Sequence, residues 1–380
     1  MSRVSIVKAK GRDQAGVSAS VQAAIRMAGG LPEAIRPGMR VVIKPNMVAP
    51  PPGPECGACT SPLVCRAVAD AVRALGAYPL IAESSSRGAD TEEAYRILGY
   101  DQLRRDGYEV VDLKQDRTVR VPVAQGRILR EITTFELITR VDAIISVPIL
   151  KTHDQGQVTL ALKNLKGLVT DADKRRIHLE GMFESVVDLA GHFKSCFAVA
   201  DGLIGQEGMG PLLGMPVDLG LVLASRDLVA LDAVAGRIMG FAPDEVPITR
   251  AAAARGLGVA EESCIDVVGE SIAAVQRRFV RAEEDHRIDS QGIRIVQSEG
   301  TCTGCRNGLL SSLFDMRAAG TLARARGVTV VSGPTPLPED IPQELLVSIG
   351  SCGLPAARRL PRHVRGCPPN NADIIRALTE

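Results

Sequence analysis

Four cysteines near the end of the chain restrict what its last 85 or so residues can form: Cys302-Thr-Gly-Cys305, then 46 residues, Cys352, then 14 residues and Cys367-Pro-Pro. Four thiolates in one short segment can close a tetrahedral metal site or hold a 4Fe-4S cubane, in which each iron takes one cysteine. Structural zinc sites favour two close cysteine pairs. Here one pair is joined by two separate single cysteines, an asymmetry that favours the cluster over zinc, while the Gly- and Pro-rich contexts of the cysteines weigh against plain buried thiols. The intervening sequence agrees. Leu309–Ala325 has helical apolar spacing, Val328–Val331 and Leu345–Ile349 read as strands, and the cysteines then fall on loops at strand ends. His363, four residues before Cys367, is a further candidate ligand that reads more simply as a surface residue.

The rest of the chain alternates short β-branched runs with amphipathic stretches, the pattern of an α/β protein. Val41-Val42-Ile43 reads as a buried strand running into Lys44-Pro45-Asn46 and a Pro/Gly-rich loop. Ser61-Pro62 then opens a helix, with Ser as N-cap and Pro in the first turn, and Tyr78–Glu83 is the next strand. Val141–Leu150 reads as a central strand with a polar loop from Lys151 onward. Residues 195–202 and 217–224 read as strands and Leu228–Met239 as a helix. At 380 residues two domains are expected, since single cores stop growing near roughly 250 to 300 residues. Composition turns charged near 280–295, which places an α/β domain at 1–292 and a small iron–sulfur domain at 293–380. The fold class is thus α/β, a large mixed or parallel sheet followed by a small iron–sulfur unit.

Charge balances at Lys+Arg 45 against Asp+Glu 44, so no cationic surplus drives binding to nucleic acid. The first residues carry no export-type apolar segment, and no apolar run reaches the ~18 residues a membrane span needs. A cytoplasmic protein with no membrane contact is the expectation. Nine cysteines in a reducing compartment then point to metal ligation rather than disulfides.

The stretch Lys151–Lys166 places His153, Lys151, Lys163, Lys166 and Asn164 beside apolar sheet sequence. Lysines hold carboxylate or phosphate groups as point charges and histidine exchanges protons near neutral pH, so an anionic small organic substrate is expected. A solvated helix face is the simpler alternative. The candidate catalytic residues are Lys151, His153 and Glu207, the last in the glycine-rich Gly205–Pro211 loop, which also reads as a plain turn. The candidate binding residues are Lys44, Asn46, Thr60, Lys163, Asn164 and Lys166. Cys56, Cys59 and Cys65 suggest a second metal or cluster, or one reactive thiol at Cys59 near a helix N-terminus. Cys196 and Cys264 read as core. No dinucleotide or P-loop fingerprint is present, while flavin stays open because flavodoxin-like sites need no such signature.

Two resemblances sharpen this. Glu299-Gly-Thr-Cys302-Thr-Gly-Cys305, Gly350-Ser-Cys352-Gly and Gly366-Cys367-Pro-Pro resemble the ligand loops of nickel–iron hydrogenase small subunits and the related complex I subunit. That resemblance implies that the small iron–sulfur unit is flavodoxin-like and holds a 4Fe-4S cluster on these four cysteines, with shorter spacings between the motifs. Residues from about 40 to 255 resemble the domain of unknown function 362 family. The matching segments are Lys44-Pro-Asn46, Thr60-Ser-Pro62, Leu150-Lys151-Thr-His153, Ala161-Leu-Lys163-Asn164-Leu-Lys166-Gly167, Asp201-Gly, Glu207-Gly-Met-Gly-Pro211 and Asp227-Leu-Val-Ala-Leu-Asp232. An oxidoreductase that passes electrons through the cluster to a redox partner protein is the expected function. A non-redox isomerase, lyase or hydrolase with a structural cluster, and an electron-transfer subunit without chemistry of its own, stay open. So does the oligomeric state, a homodimer being one arrangement.

Overall fold

The computed structural model describes the chain except Arg87, residues 286–291, Glu299, Gly300 and Cys302, and it gives no side chains for Thr303, Gly304 and Asn307. The expected Cys302 ligand and part of the expected domain boundary therefore lie outside the described residues.

Ten strands make the main sheet: β1 (Ser2–Lys8), β2 (Arg40–Pro45), β3 (Tyr78–Glu83), β4 (Glu109–Asp112), and, beyond the hairpin β5 (Thr118–Pro122) and β6 (Glu131–Phe135), β7 (Ala143–Val147), β8 (Ile149–His153), β9 (Gln157–Thr159), β10 (Phe197–Glu207), β11 (Met215–Ser225) and β12 (Ile265–Gly269). Their order is β12-β1-β11-β10-β7-β2-β3-β4, with β8 and β9 joined to β10. The β10-β7-β2-β3-β4 side is parallel, while β11 runs antiparallel to both neighbours, so the sheet is mixed.

Both faces of this sheet are covered, and the strand sequences show why. Val41 and Ile43 enter a core with Val17, Val21, Val64 and Val68 of the helices Gln14–Met27 and Pro62–Ala74. Val42, between them, enters the opposite core with Val229 and Val234 of the helix Leu228–Ile238. Alternate residues point to opposite faces, so a strand buried on both reads as an unbroken apolar run. The helix after the Pro/Gly loop begins as its residues dictate: the Ser61 side chain accepts from the Leu63 N–H, and Pro62 sits in the first turn, where no intrahelical donor is needed.

One expectation is corrected here. Val141–Leu150 is not a single strand, because Pro148 has no N–H to give and the ladder breaks there. β7 ends at Val147, and a separate strand, β8, runs from Ile149 to His153 and pairs with β10 and β9. Lys151 and His153 consequently lie within a buried strand rather than on a loop, and the alternative of a solvated helix face for this stretch falls with it. Cys264 is exposed in a short turn before β12, not in the core.

A second sheet, all parallel and in the order β13 (Arg294–Gln297), β14 (Thr329–Ser332), β15 (Leu346–Ile349), β16 (His363–Val364), carries the cysteine segment. The helix Thr303–Ala318 follows β13 and packs with the last helix, Asn371–Thr379, over a core that includes Leu309, Leu313, Val330, Val347 and Ile374. Among the described residues no helix is long and apolar enough to cross a membrane.

Candidate functional site

Lys44 and Glu83 end the adjacent parallel strands β2 and β3, at the carboxyl edge where open α/β sheets bind ligands. There they form a buried ion pair: Lys44 Nζ donates to Glu83 Oε2 at 2.5 Å and to the Pro45 carbonyl at 2.8 Å. Glu83 also accepts from the backbone N–H groups of Met47 (3.0 Å) and Ser84 (2.7 Å). Burial pushes the Glu83 carboxyl up and the Lys44 ammonium down, and each partner's charge opposes that shift. Asn164 ties the pair to its surroundings, donating to the Lys44 carbonyl (2.8 Å) and to Ser146 Oγ (3.1 Å) and accepting from Asn46 Nδ2 (3.1 Å). Gly167 lies over it so closely that a Cβ would sit 2.1 Å from Glu83 Oε1 and 2.5 Å from Lys44 Nζ.

The short helix Ala161–Asn164 delivers Lys163 and Asn164, and buried Asp232 holds its start by accepting from the N–H groups of Ala161 (2.7 Å) and Leu162 (3.0 Å). Burial lifts that carboxyl to about 7. Next to this framework opens a cavity of about 490 Å³, lined in part by Lys44, Asn46, His153, Lys163, Asn164 and Lys166. The structure thus gathers six of the nine candidate catalytic and binding residues around one space.

The charge of the cavity is unbalanced. Lys174 is satisfied by the carbonyls of Ser84 and Ser85 and by Asp171 at 3.2 Å. Lys163 and Lys166, by contrast, have no carboxylate within ion-pair distance among the described residues; their nearest polar neighbours are Thr159 Oγ1, at 3.5 Å, and His178 Nε2. Burial, reinforced by neighbouring lysines, lowers Lys163 to about 7 and Lys166 well below the ordinary lysine range. Desolvation also keeps His153 and His178 neutral.

The tautomer of His153 follows from its partners. The backbone N–H groups of Gln155 (3.0 Å) and Gly156 (3.1 Å) both donate to Nδ1, so the ring proton resides on Nε2 and the imidazole meets a ligand as a neutral donor. Asp154 Oδ1, 2.8 Å from the same Nδ1, is a favourable neighbour only as a carboxyl that carries a proton, and burial raises it to about 6.

The roof comes from the segment that carries the second sheet. Ser311, Asp315, Asn370 and Asn371 line the cavity, Asn371 Nδ2 donates to Ser311 Oγ (2.6 Å) and Asp315 Oδ2 (3.0 Å), and Gln155 Nε2 donates to the Pro369 carbonyl at 3.0 Å. Two backbone hydrogen bonds join Cys367 to the lysine-rich wall: its N–H donates to the His178 carbonyl (3.4 Å), and its carbonyl accepts from Met182 N–H (3.1 Å).

Three candidates do not reach the cavity. Lys151 Nζ donates to the carbonyls of Ala58 (2.5 Å) and Pro211 (3.3 Å), pinning two loops to β8. Thr60 Oγ1 accepts from Asn46 N–H and donates to the Val147 carbonyl, each at 2.8 Å. Glu207, at the end of β10, pairs with Arg277 at 3.1 Å and accepts from Val280 N–H. All three brace the walls. Conversely, Glu83, Asp154, Lys174, His178 and Asn371 went unnoticed in the sequence. Only Glu83 had a signal, as the last residue of a recognisable strand beside the Lys44 strand.

Of the cysteines, Cys305 and Cys352 converge: their sulfurs lie 2.9 and 3.7 Å from where a Gly350 Cβ would stand. Ser351 and Gly366 are linked by hydrogen bonds in both directions at 2.9 Å, which brings the Cys352 and Cys367 loops side by side. Cys56, Cys59 and Cys65 are not drawn into one ligand set. Cys65 Sγ meets Tyr100 Oη at 3.3 Å, Cys59 Sγ faces the Ala49 carbonyl, and burial pushes these two thiols up to about 12 and about 11, against a reactive thiolate at Cys59. Among the described residues no three His, Cys, Asp or Glu side chains form a metal-ligand group.

Fold and site together define an α/β protein with a lysine-lined cleft. Residues 41–237 match the sequence profile described as domain of unknown function (DUF362), and the chain belongs to that family. It is 29% identical over 265 residues to a thylakoid-associated protein of Synechocystis sp., covering 67% of this chain and 79% of that one. A solved structure, the lactate racemase apoprotein from Thermoanaerobacterium thermosaccharolyticum, aligns with 87% of this chain and 68% of its own at 12% identity and a TM-score of 0.41.

Proposed function

We propose that the protein is an iron–sulfur enzyme that binds an anionic organic molecule on Lys163 and Lys166 and exchanges electrons with it through a 4Fe-4S cluster on Cys302, Cys305, Cys352 and Cys367. The observation that carries this reading is the pair of backbone hydrogen bonds from Cys367 to His178 and Met182, because His178 is itself part of the cavity lining. A group held by Cys367 would stand next to the bound anion. The donor set suits a cluster: Cys305 and Cys352 converge over a glycine whose missing side chain leaves the space, and Cys367 follows on an adjoining turn. A cluster with four protein thiolates supplies one-electron transfer rather than an open coordination site. The chain's own residues do the rest. The two lysines fix the anion, His153 Nε2–H donates to an adjacent oxygen, and Asp154 holds a proton close to neutral pH.

A non-redox reading is supported by Lys163 alone, since a lysine at about 7 suits proton transfer without any electron step. Activity that survives with the cluster locked in one oxidation state separates the two, and anaerobic purification followed by iron and sulfide quantitation, with EPR of the dithionite-reduced protein, tests the cluster itself. The cluster reading expects about four irons and four sulfides per chain and a reduced-cluster signal. Stoichiometric zinc without sulfide removes the electron-transfer function.

The lysine floor makes its own pH prediction. Benzenesulfonate keeps its charge across the whole range, so any change in its affinity reports the protein. Lys163 must take up a proton to hold it, and its value in the empty site is about 7. Calorimetric affinity is therefore expected to rise as pH falls from 9 towards 7, by up to about tenfold per unit for the Lys163 proton, and more steeply where Lys166 takes up a proton as well. Lys163→Met should flatten that slope. An unchanged slope in the variant assigns the proton elsewhere.

A further inference from the structure

The cavity lining is chemically mixed. Beside the lysines and histidines it includes Met47, Val48, Met209, Pro211, Leu212 and Leu213. Met47 and Met209 are almost fully buried, at 4% and 1% exposure, while Val48, Pro211, Leu212 and Leu213 keep apolar surface open to the space. None of the six belongs to the anion-binding machinery, and a charged metabolite needs no such surface.

The apolar lining is held in place. Residues 208–214 connect β10 to β11 and are fastened at several points: Gly208 N–H donates to the Val280 carbonyl (2.7 Å), Met209 N–H to Asp285 Oδ2 (2.9 Å), and the Gly210 carbonyl accepts from Asp154 N–H (2.9 Å). The segment lies so tightly on β8 that a Cβ on Gly210 would stand 2.1 Å from the Thr152 carbonyl oxygen. Asp154, part of the polar lining, is thus bonded directly to the backbone of the apolar lining, and the two are fixed relative to one another.

An inorganic anion, or an acid as small as acetate, would fill a minor part of about 490 Å³ and leave that apolar lining wetted. A ligand that covers the polar and the apolar lining together recovers the apolar contact as well. We infer that the ligand is an amphipathic organic acid: an anionic head on Lys163 and Lys166, joined to an aliphatic or aromatic body that packs on Val48, Pro211 and Leu212. This rests on the reading that the lysine floor binds an anion.

The test is a chain-length series on the full-length protein as purified anaerobically: ethane-, butane-, hexane- and octanesulfonate below their micelle concentrations, with inorganic sulfate and octan-1-ol as the two half-ligands. Affinity is measured by calorimetry at pH 7. Each buried methylene is expected to tighten binding roughly threefold to fourfold, so octanesulfonate should exceed ethanesulfonate by at least about 100-fold. Octan-1-ol and sulfate should each bind far more weakly than octanesulfonate. Leu212→Ser should remove much of the chain-length gain and keep ethanesulfonate binding, while Lys163→Met should weaken every sulfonate. Val48→Thr gives a second, independent reading of the same apolar lining should the Leu212 variant fold poorly. Equal affinity along the series, with sulfate binding as well as octanesulfonate, overturns the amphipathic ligand and leaves the anion site standing. Failure of every anion overturns both.

Discussion

Glu83→Ala is expected to lower folding stability by ~3–5 kcal/mol, the effect of leaving one member of a buried ion pair without the other. Lys44 would keep its place at 0% exposure with only the Pro45 carbonyl and Asn164 as partners, and the N–H groups of Met47 and Ser84 would lose the carboxylate they share. Thermal unfolding is expected to show a melting temperature lower by roughly 5–10 °C. Removing both charges together, as Lys44→Met with Glu83→Leu, should restore most of the loss, since a well-packed apolar pair is often no less stable than the ion pair it replaces. A deficit below ~1 kcal/mol in the single variant would mean that solvent already reaches Lys44.

Gly350→Ala is expected to strip the cysteine segment of its iron. Gly350 closes the end of β15 at φ +102°, a conformation that side chains disfavour, while its N–H donates to the Val364 carbonyl at 2.9 Å. An added methyl would stand 2.9 Å from Cys305 Sγ, in the space the proposed cluster needs. Iron per chain should fall from about four to below one, and Cys352→Ser should do the same without the steric change. Cys264→Ser, at an exposed thiol far along the chain from the motif, should keep the full complement. Iron retained in both Gly350→Ala and Cys352→Ser would place the metal on other residues.

The α/β architecture was legible because both faces of the main sheet are covered, which turns strands such as Val41–Ile43 and Tyr78–Glu83 into recognisable apolar runs. Lys44, Asn46, Lys163, Asn164 and Lys166 stood out for the opposite reason, as polar residues beside such runs, and they do line one cavity. Lys151 and Glu207 followed the same logic and fall outside it, because β8 and β10 run several residues further than their apolar cores suggest. Extra strand length moved those side chains from the rim into the walls. Asp154, His178 and Asn371 could not be found from local pattern at all, since each is held by a distant segment, Asp154 by the Gly210 carbonyl, His178 by the Cys367 N–H and Asn371 by Ser311 and Asp315.

The cleft is finished from the far end of the polypeptide. Gln155 reaches its acceptor on Pro369 across 214 positions of sequence, and Ser311, Asp315 and Asn371 enter the lining later in synthesis than every lysine beneath them. A polypeptide shortened before Ser311 therefore carries every lysine of the cleft without the residues that complete its lining.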